Sequence, residues 1–200
     1  MLLKKGQLLI LIINAILVIF FSFLAVKKLN YEFIIYIGVI IFFFILILFT
    51  NRKSNIDNFC LWGLTLWAFL HMSGGFVMIK GGRLYELVLT NLFTVGDVTF
   101  FRYDHFVHLI GFGVATVICY KLIEPYLGKK INWKILFPLI VLMGIGLGSF
   151  NEIIEFAATV IAPETGVGGY YNTSFDMVSN ALGAIIAGVI INFKYRKREN

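Results

Sequence analysis

Three pairs of polar residues stand in stretches of chain that are otherwise apolar: Asp104 with His108, Glu152 with Glu155, and Asp176 with Asn180. An acid and an imidazole four residues apart share one face of a helix, offset by roughly 40°. Two carboxylates at i, i+3 repel one another unless a proton or a cation lies between them. Residues of these types support three chemistries. His108, Glu152, Glu155 and Asp176 are donors that suit a divalent ion such as zinc, manganese or iron. Asp104, His108 and Glu152 could instead make a metal-free acid/base site, with the imidazole oriented by Asp104 and a glutamate supplying the proton. The third chemistry is a proton or ion path through a membrane. Spacing alone leaves all three open, and the chain has no serine-nucleophile motif, no HExxH and no P-loop to decide among them.

The elements that must position these pairs follow from the apolar runs. Only 14% of the residues are charged, against about 25% in soluble domains, while 60% are hydrophobic and the mean hydropathy is +0.89. The apolar residues come in unbroken runs, at 8–26, 33–49, 59–79, 104–123, 135–158 and 175–192. Each run is near the about 20 residues that cross a bilayer core. The expected fold is therefore all-α, a polytopic bundle of six transmembrane helices in one membrane domain covering 1–200. The first run reads as a retained helix, because Ser22-Phe-Leu-Ala25 lacks a small-x-small cleavage site. Its neighbour is equally poor in polar groups, and both are expected to be structural or lipid-facing. Residues 80–102 are too polar to span and read as an interfacial or extracytoplasmic loop, with a short amphipathic piece at 84–93 lying in the interface.

Charge sets the topology. With six spans, one side holds Lys4, Lys5, Arg52, Lys53, Lys121, Lys129, Lys130, Lys134, Lys194, Arg196, Lys197 and Arg198, and the other only Lys27, Lys28, Lys80, Arg83 and Arg102. The positive-inside rule then makes both termini cytoplasmic, in a bacterial cytoplasmic membrane. The net charge of +6 is a topology signal of this kind, not a nucleic-acid footprint, so membrane lipids and a lipid-linked substrate are the expected partners. Cys60 and Cys119 lie at or inside apolar runs with no partner spacing, and support neither a disulfide nor a metal site.

The same topology brings all three polar pairs to one depth, near the outer ends of the fourth, fifth and sixth helices. Asp104, His108, Gly111 and Ala115 are spaced 0, 4, 7, 11, and Asp176, Asn180, Gly183 and Ala187 repeat that spacing. Along the antiparallel fifth helix, Glu155, Glu152, Gly148 and Gly144 run 0, 3, 7, 11. Small residues let membrane helices approach closely, so the three stripes are expected to face one another. His71, in the outer half of the third helix, is expected to hydrogen-bond across helices and, with Asn180, to support the site. His105, turned roughly 100° from Asp104, reads as interfacial and outside the site. A non-enzymatic reading, in which the polar cluster only locks the helices together, also fits the pattern.

Asp104-x-x-x-His108-x-x-Gly111, Glu152-x-x-Glu155 and Thr173-Ser-Phe-Asp176-Met-Val-Ser-Asn180-Ala-Leu-Gly183 together resemble the uncharacterised bacterial inner-membrane family that includes YjdF (DUF2238). The preceding His71-Met-Ser-Gly74-Gly75 is similar to that family's His-x-x-Gly-Gly element. A more distant similarity is to VanZ-like proteins, associated with glycopeptide resistance. The resemblance covers roughly 71–188 and implies a shared membrane fold and polar site, with an envelope role in the VanZ-like case.

Overall fold

The computed structural model describes residues 3–128, 130–162 and 165–196. Six helices dominate it: α1 (Gln7–Lys27), α2 (Tyr31–Thr50), α3 (Asn58–Phe76), α4 (Tyr103–Ile123), α5 (Trp133–Ile161) and α6 (Tyr170–Arg196). Each is long and apolar enough to cross a membrane. This length has a physical cause: inside hydrocarbon only a helix satisfies its own backbone polar groups. Asn30, Asp57 and Asn132 cap α2, α3 and α5, each side chain accepting from a first-turn amide, of Phe33, Cys60 and Lys134 respectively. Both cysteines are free and buried.

Two boundaries differ from the hydropathy reading. Helix α3 stops at Phe76, where the chain turns into a two-residue strand. Helix α6 begins at Tyr170, five residues before its apolar run, so its first turns are polar residues that hydropathy does not register.

The segment between α3 and α4 corrects a larger expectation. The segment expected as an interfacial loop with an amphipathic piece at 84–93 is built of strands. β1 (Met78–Ile79) pairs with β2 (Gly82–Arg83), a single 3-10 turn follows at Leu84–Glu86, and β3 (Val88–Val95) pairs antiparallel with β4 (Val98–Arg102). Val88, Leu89, Leu92, Phe93 and Val95 favour a pleated surface over a helix. Gly96-Asp97 closes the hairpin in two residues, with Gly96 at a φ of 61° that such a turn demands.

Helix α4 is the hub, packed on α3, α5 and α6. Its approach to α6 is backbone to backbone: a Cβ on Gly183 would strike the carbonyl oxygen of Leu109 and the amide nitrogen of Gly113. The small-residue stripes meet with changes of partner. Gly148 lies against Asn180, as the spacing predicts, but Gly144 meets Thr116 and Ala184, each one residue off its stripe, and Gly111 faces Trp67 of α3 while Gly113 faces α6. A central helix has neighbours on more than one side, so one small stripe cannot serve them all.

Helices α1 and α2 lie outside this core. They join it through a cluster of Phe21, Ala25, Phe33, Tyr36, Met72 and Phe76, and through a 2.7 Å hydrogen bond from Asn14 to Thr65. At one end of the bundle Lys4 donates to the carbonyls of Ser54 and Ile56, and Asn55 donates to Glu124. At the other, the buried Glu32 carboxylate accepts from Arg83 at 3.2 Å and from the Gly166 amide at 2.7 Å. The helices therefore alternate in direction. Lys129, Lys197 and Arg198, which contribute to the charge asymmetry, lie outside the described residues.

Candidate functional site

Because α4 and α6 run in the same direction and α5 against them, Asp104, the second residue of α4, meets the first turns of α6 and the last turns of α5. The imidazole of His108 sits at the centre, 4% exposed. Its Nε2 is 3.6 Å from Asp104 Oδ1, 3.8 Å from Glu155 Oε1 and 3.9 Å from Asp176 Oδ1. Its Nδ1 is 3.0 Å from Asn180 Oδ1 and 3.4 Å from Glu152 Oε1. The structure thus brings together Asp104, His108, Glu152, Glu155, Asp176 and Asn180 from three helices.

The hydrogen bonds give each atom a role. Asn180 donates its amide nitrogen to Glu152 Oε1 at 3.1 Å, so its oxygen accepts from His108 Nδ1–H. The other ring nitrogen, Nε2, faces three carboxylate oxygens. Two of these carboxylates are held from behind by one group: Asn172 Nδ2 donates to Asp176 Oδ2 at 2.8 Å and to Asp104 Oδ2 at 3.3 Å. Glu155 is held by Asn151, at 2.8 Å. Asp176 Oδ1 and Glu152 Oε2 are buried with no hydrogen-bond partner.

Carboxylates converging on one imidazole need a positive charge among them, a proton or a cation. A buried unpaired charge costs several kcal/mol, and like charges at this range add to that cost. Two sets of these side chains, Asp104–His108–Asp176 and His108–Glu152–Glu155, have ligand atoms within 4.8 Å of one another and could hold a metal ion. Bonds of about 2.1 Å place neighbouring ligand atoms about 3.0 to 3.4 Å apart. The distances from Nε2, 3.6 to 3.9 Å, are longer than that, so a bound ion would draw the side chains inward. A His108 bound through Nε2, with Nδ1–H given to Asn180, also has the outer support that metal-ligating histidines generally carry. Of the donors that the sequence suggests, Glu152 alone stands on the Nδ1 side.

Two histidines fall elsewhere than expected. His105 is not interfacial: it is fully buried, stacked on Phe100 at 5.0 Å with Phe175 edge-on. Its Nδ1 accepts from the Arg102 amide at 3.0 Å, and its Nε2 points to within 3.9 Å of Asp176 Oδ1 without a hydrogen-bond partner. The 100° turn that seems to exclude it aims it at α6, because α4 is enclosed on that side too. His71 bonds to no other helix. It meets the Tyr85 hydroxyl at 2.8 Å and stacks on Trp67 at 5.4 Å, in a box completed by Phe33 and Tyr36. Gly74 and Gly75 make room for that box, since a Cβ on either would strike the ring of Tyr85 or Phe33. Tyr85 lies outside the spans; burial first, then the negative charges of Asp104 and Glu155, hold its hydroxyl well above the usual range, so it remains a donor.

Sequence reasoning passed over Asn172, Asn151 and His105. Asn172 and Asn151 each stand four residues before a site acid, and that one-turn spacing is the signal that finds them.

No curated protein and no solved structure matches this chain. A family model described as "Predicted membrane protein (DUF2238)" matches residues 7–198.

Proposed function

We propose, for a chain that belongs to this family of predicted membrane proteins, that it carries a divalent-cation site within the membrane and uses it on a lipid-linked or envelope substrate. Asp104, Glu155, Asp176 and His108 Nε2 are the proposed ligands, with Glu152 and Asn180 fixing the imidazole. The observation that carries this reading is the convergence of three carboxylate oxygens on one imidazole nitrogen, with Asp176 Oδ1 buried and without a hydrogen-bond partner among the described residues. An oxygen-rich set with one imidazole suits zinc, manganese or iron. The charge asymmetry of the loops supports placing the site toward the extracytoplasmic face of a bacterial cytoplasmic membrane, with both termini inside. The motif resemblance to VanZ-like proteins supports an envelope substrate.

In this role the cation would act as a Lewis acid on a substrate oxygen. Asp104 is the most exposed of the carboxylates, its side chain 19% accessible, and is where a substrate would come in. The test is elemental analysis of the purified full chain after dialysis against trace zinc, manganese or iron(II). About one equivalent of metal is expected, lost in Asp176→Ala and Glu155→Gln while the helical circular dichroism is unchanged. Folded wild-type protein that retains no metal sinks the proposal. Cation flux in proteoliposomes, in place of retention, would turn the site into a transport site.

A further inference from the structure

The donors left over around this site say what kind of ligand it takes. His105 cannot be a spare metal ligand, because its Nδ1 already accepts the Arg102 amide, so Nε2 carries the proton. That N–H is fully buried, has no acceptor within hydrogen-bond distance, and faces Asp176 Oδ1 at 3.9 Å. An unpaired buried donor is costly, and here a single additional atom removes the cost. An oxygen bound to the same cation as Asp176 Oδ1 sits about 3.0 to 3.4 Å from that oxygen. Placed also at a hydrogen-bond distance of about 2.9 Å from the N–H, it completes a triangle whose third side is the 3.9 Å observed between His105 and Asp176. A ligand oxygen held there by the cation would accept the His105 hydrogen bond.

Arg102 adds a positive charge at the same corner. Its amide anchors His105, its Nη2 donates to the Asp97 carbonyl at 3.1 Å, and its Nε is buried with no acceptor. A cation and an N–H around one position favour an anionic oxygen over a neutral one, and the Arg102 guanidinium, held at the Asp97 carbonyl, adds positive charge at the start of α4. The level of the site narrows the chemistry further. Asp104 is the second residue of α4, Asp176 the seventh of α6 and Glu155 the seventh from the end of α5. At 1.5 Å per residue these lie within about 10 Å of the helix ends, at the boundary between hydrocarbon and headgroups. The anions carried at that level are lipid phosphates.

We infer that the site takes a phosphate ester, one of whose oxygens lies between the cation and the His105 Nε2–H, with Arg102 as the charge partner. The inference rests on the cation reading above and names the ligand class for that site. His105 and Arg102 are binding residues in this scheme, and neither is a metal ligand.

The experiment is calorimetric titration of the manganese-loaded full chain in detergent with orthophosphate and, separately, with dihexanoyl phosphatidic acid. Metal-dependent binding of at least one is expected, weakened by about tenfold or more in His105→Leu and in Arg102→Gln, the loss of one charge-assisted hydrogen bond. His105→Gln, whose amide can still donate, should recover part of the affinity. Manganese stoichiometry is measured on every variant and should remain that of the wild type. Binding of the lipid alone assigns the phosphate to a headgroup, and binding of orthophosphate alone assigns it to a free anion. Manganese-loaded protein that binds neither probe, or binds them equally well in His105→Leu, overturns the inference and leaves the cation site standing. Failure to load manganese, zinc or iron removes both.

Discussion

Helices α1 and α2 on one side, and α3 to α6 on the other, answer the same solvent in opposite ways. The first pair turns most of its surface outward: Ile16, Ile19, Phe23, Phe42 and Phe49 are all exposed, and a Cβ on Gly38 would meet nothing within 4 Å. In the second group, Gly113, Gly144, Gly148 and Gly183 mark places where helix backbones or polar side chains approach closely. Lipid tails are as apolar as leucine, so apolar side chains alone give helices no preference for one another over lipid. What the inner group has, and the outer pair mostly lacks, is close backbone approach combined with hydrogen bonds that lipid cannot supply.

The comparison can be tested from its largest expected effect downward. Asp176→Ala should abolish metal retention altogether, and a chelator that lowers the thermal midpoint of the wild type should leave this variant's unchanged. Asn14→Leu in α1 should keep full metal content. Next in size, Gly183→Ala should cost about 1 to 3 kcal/mol by overpacking α4 against α6, while Gly38→Ala stays within about 0.5 kcal/mol. Both are measured by reversible unfolding in mixed micelles, and equal effects would mean that the two regions do not differ in packing. Asn172→Ala should weaken metal binding by about 10- to 100-fold without removing it, as loss of outer support does at other metal sites; a competition titration against a fluorescent chelator reads this directly. A small effect belongs to the link between the regions. Thr65→Val removes the Asn14 bond and should cost about 0.6 kcal/mol, the average for hydrogen bonds between membrane helices, with metal content unaltered.

How far the sequence could be read follows from the same physics. Six spans are visible because hydrocarbon imposes a length and a composition on anything that crosses it. The meeting of Asp104, His108, Glu152, Glu155, Asp176 and Asn180 is legible from depth and helical phase, both of which are periodic. Asn172 escaped because hydropathy locates apolar residues, and the first turns of α6 are polar although helical. His105 escaped because a helical angle says where a side chain points and not what stands there; only the packing of Phe100 and Phe175 makes that direction an interior one. The β3–β4 hairpin was available in the Gly96-Asp97 turn between β-favouring runs, a signal outweighed by the amphipathic look of 84–93.

The Glu32 carboxylate gathers three segments far apart in the chain: Arg83 is 51 residues away and Gly166 is 134. A chain made from its N-terminus has Glu32 from the start of α2, acquires Arg83 only after α3 is complete, and reaches Gly166 only when α5 has been laid down. The knot is therefore a record of assembly order. It can close only after α5 is made, and until it closes, the hairpin and the α5–α6 connection are not joined through Glu32. A Glu32→Gln chain should become trapped late in its maturation, with all its helices inserted and the outer segments accessible to protease.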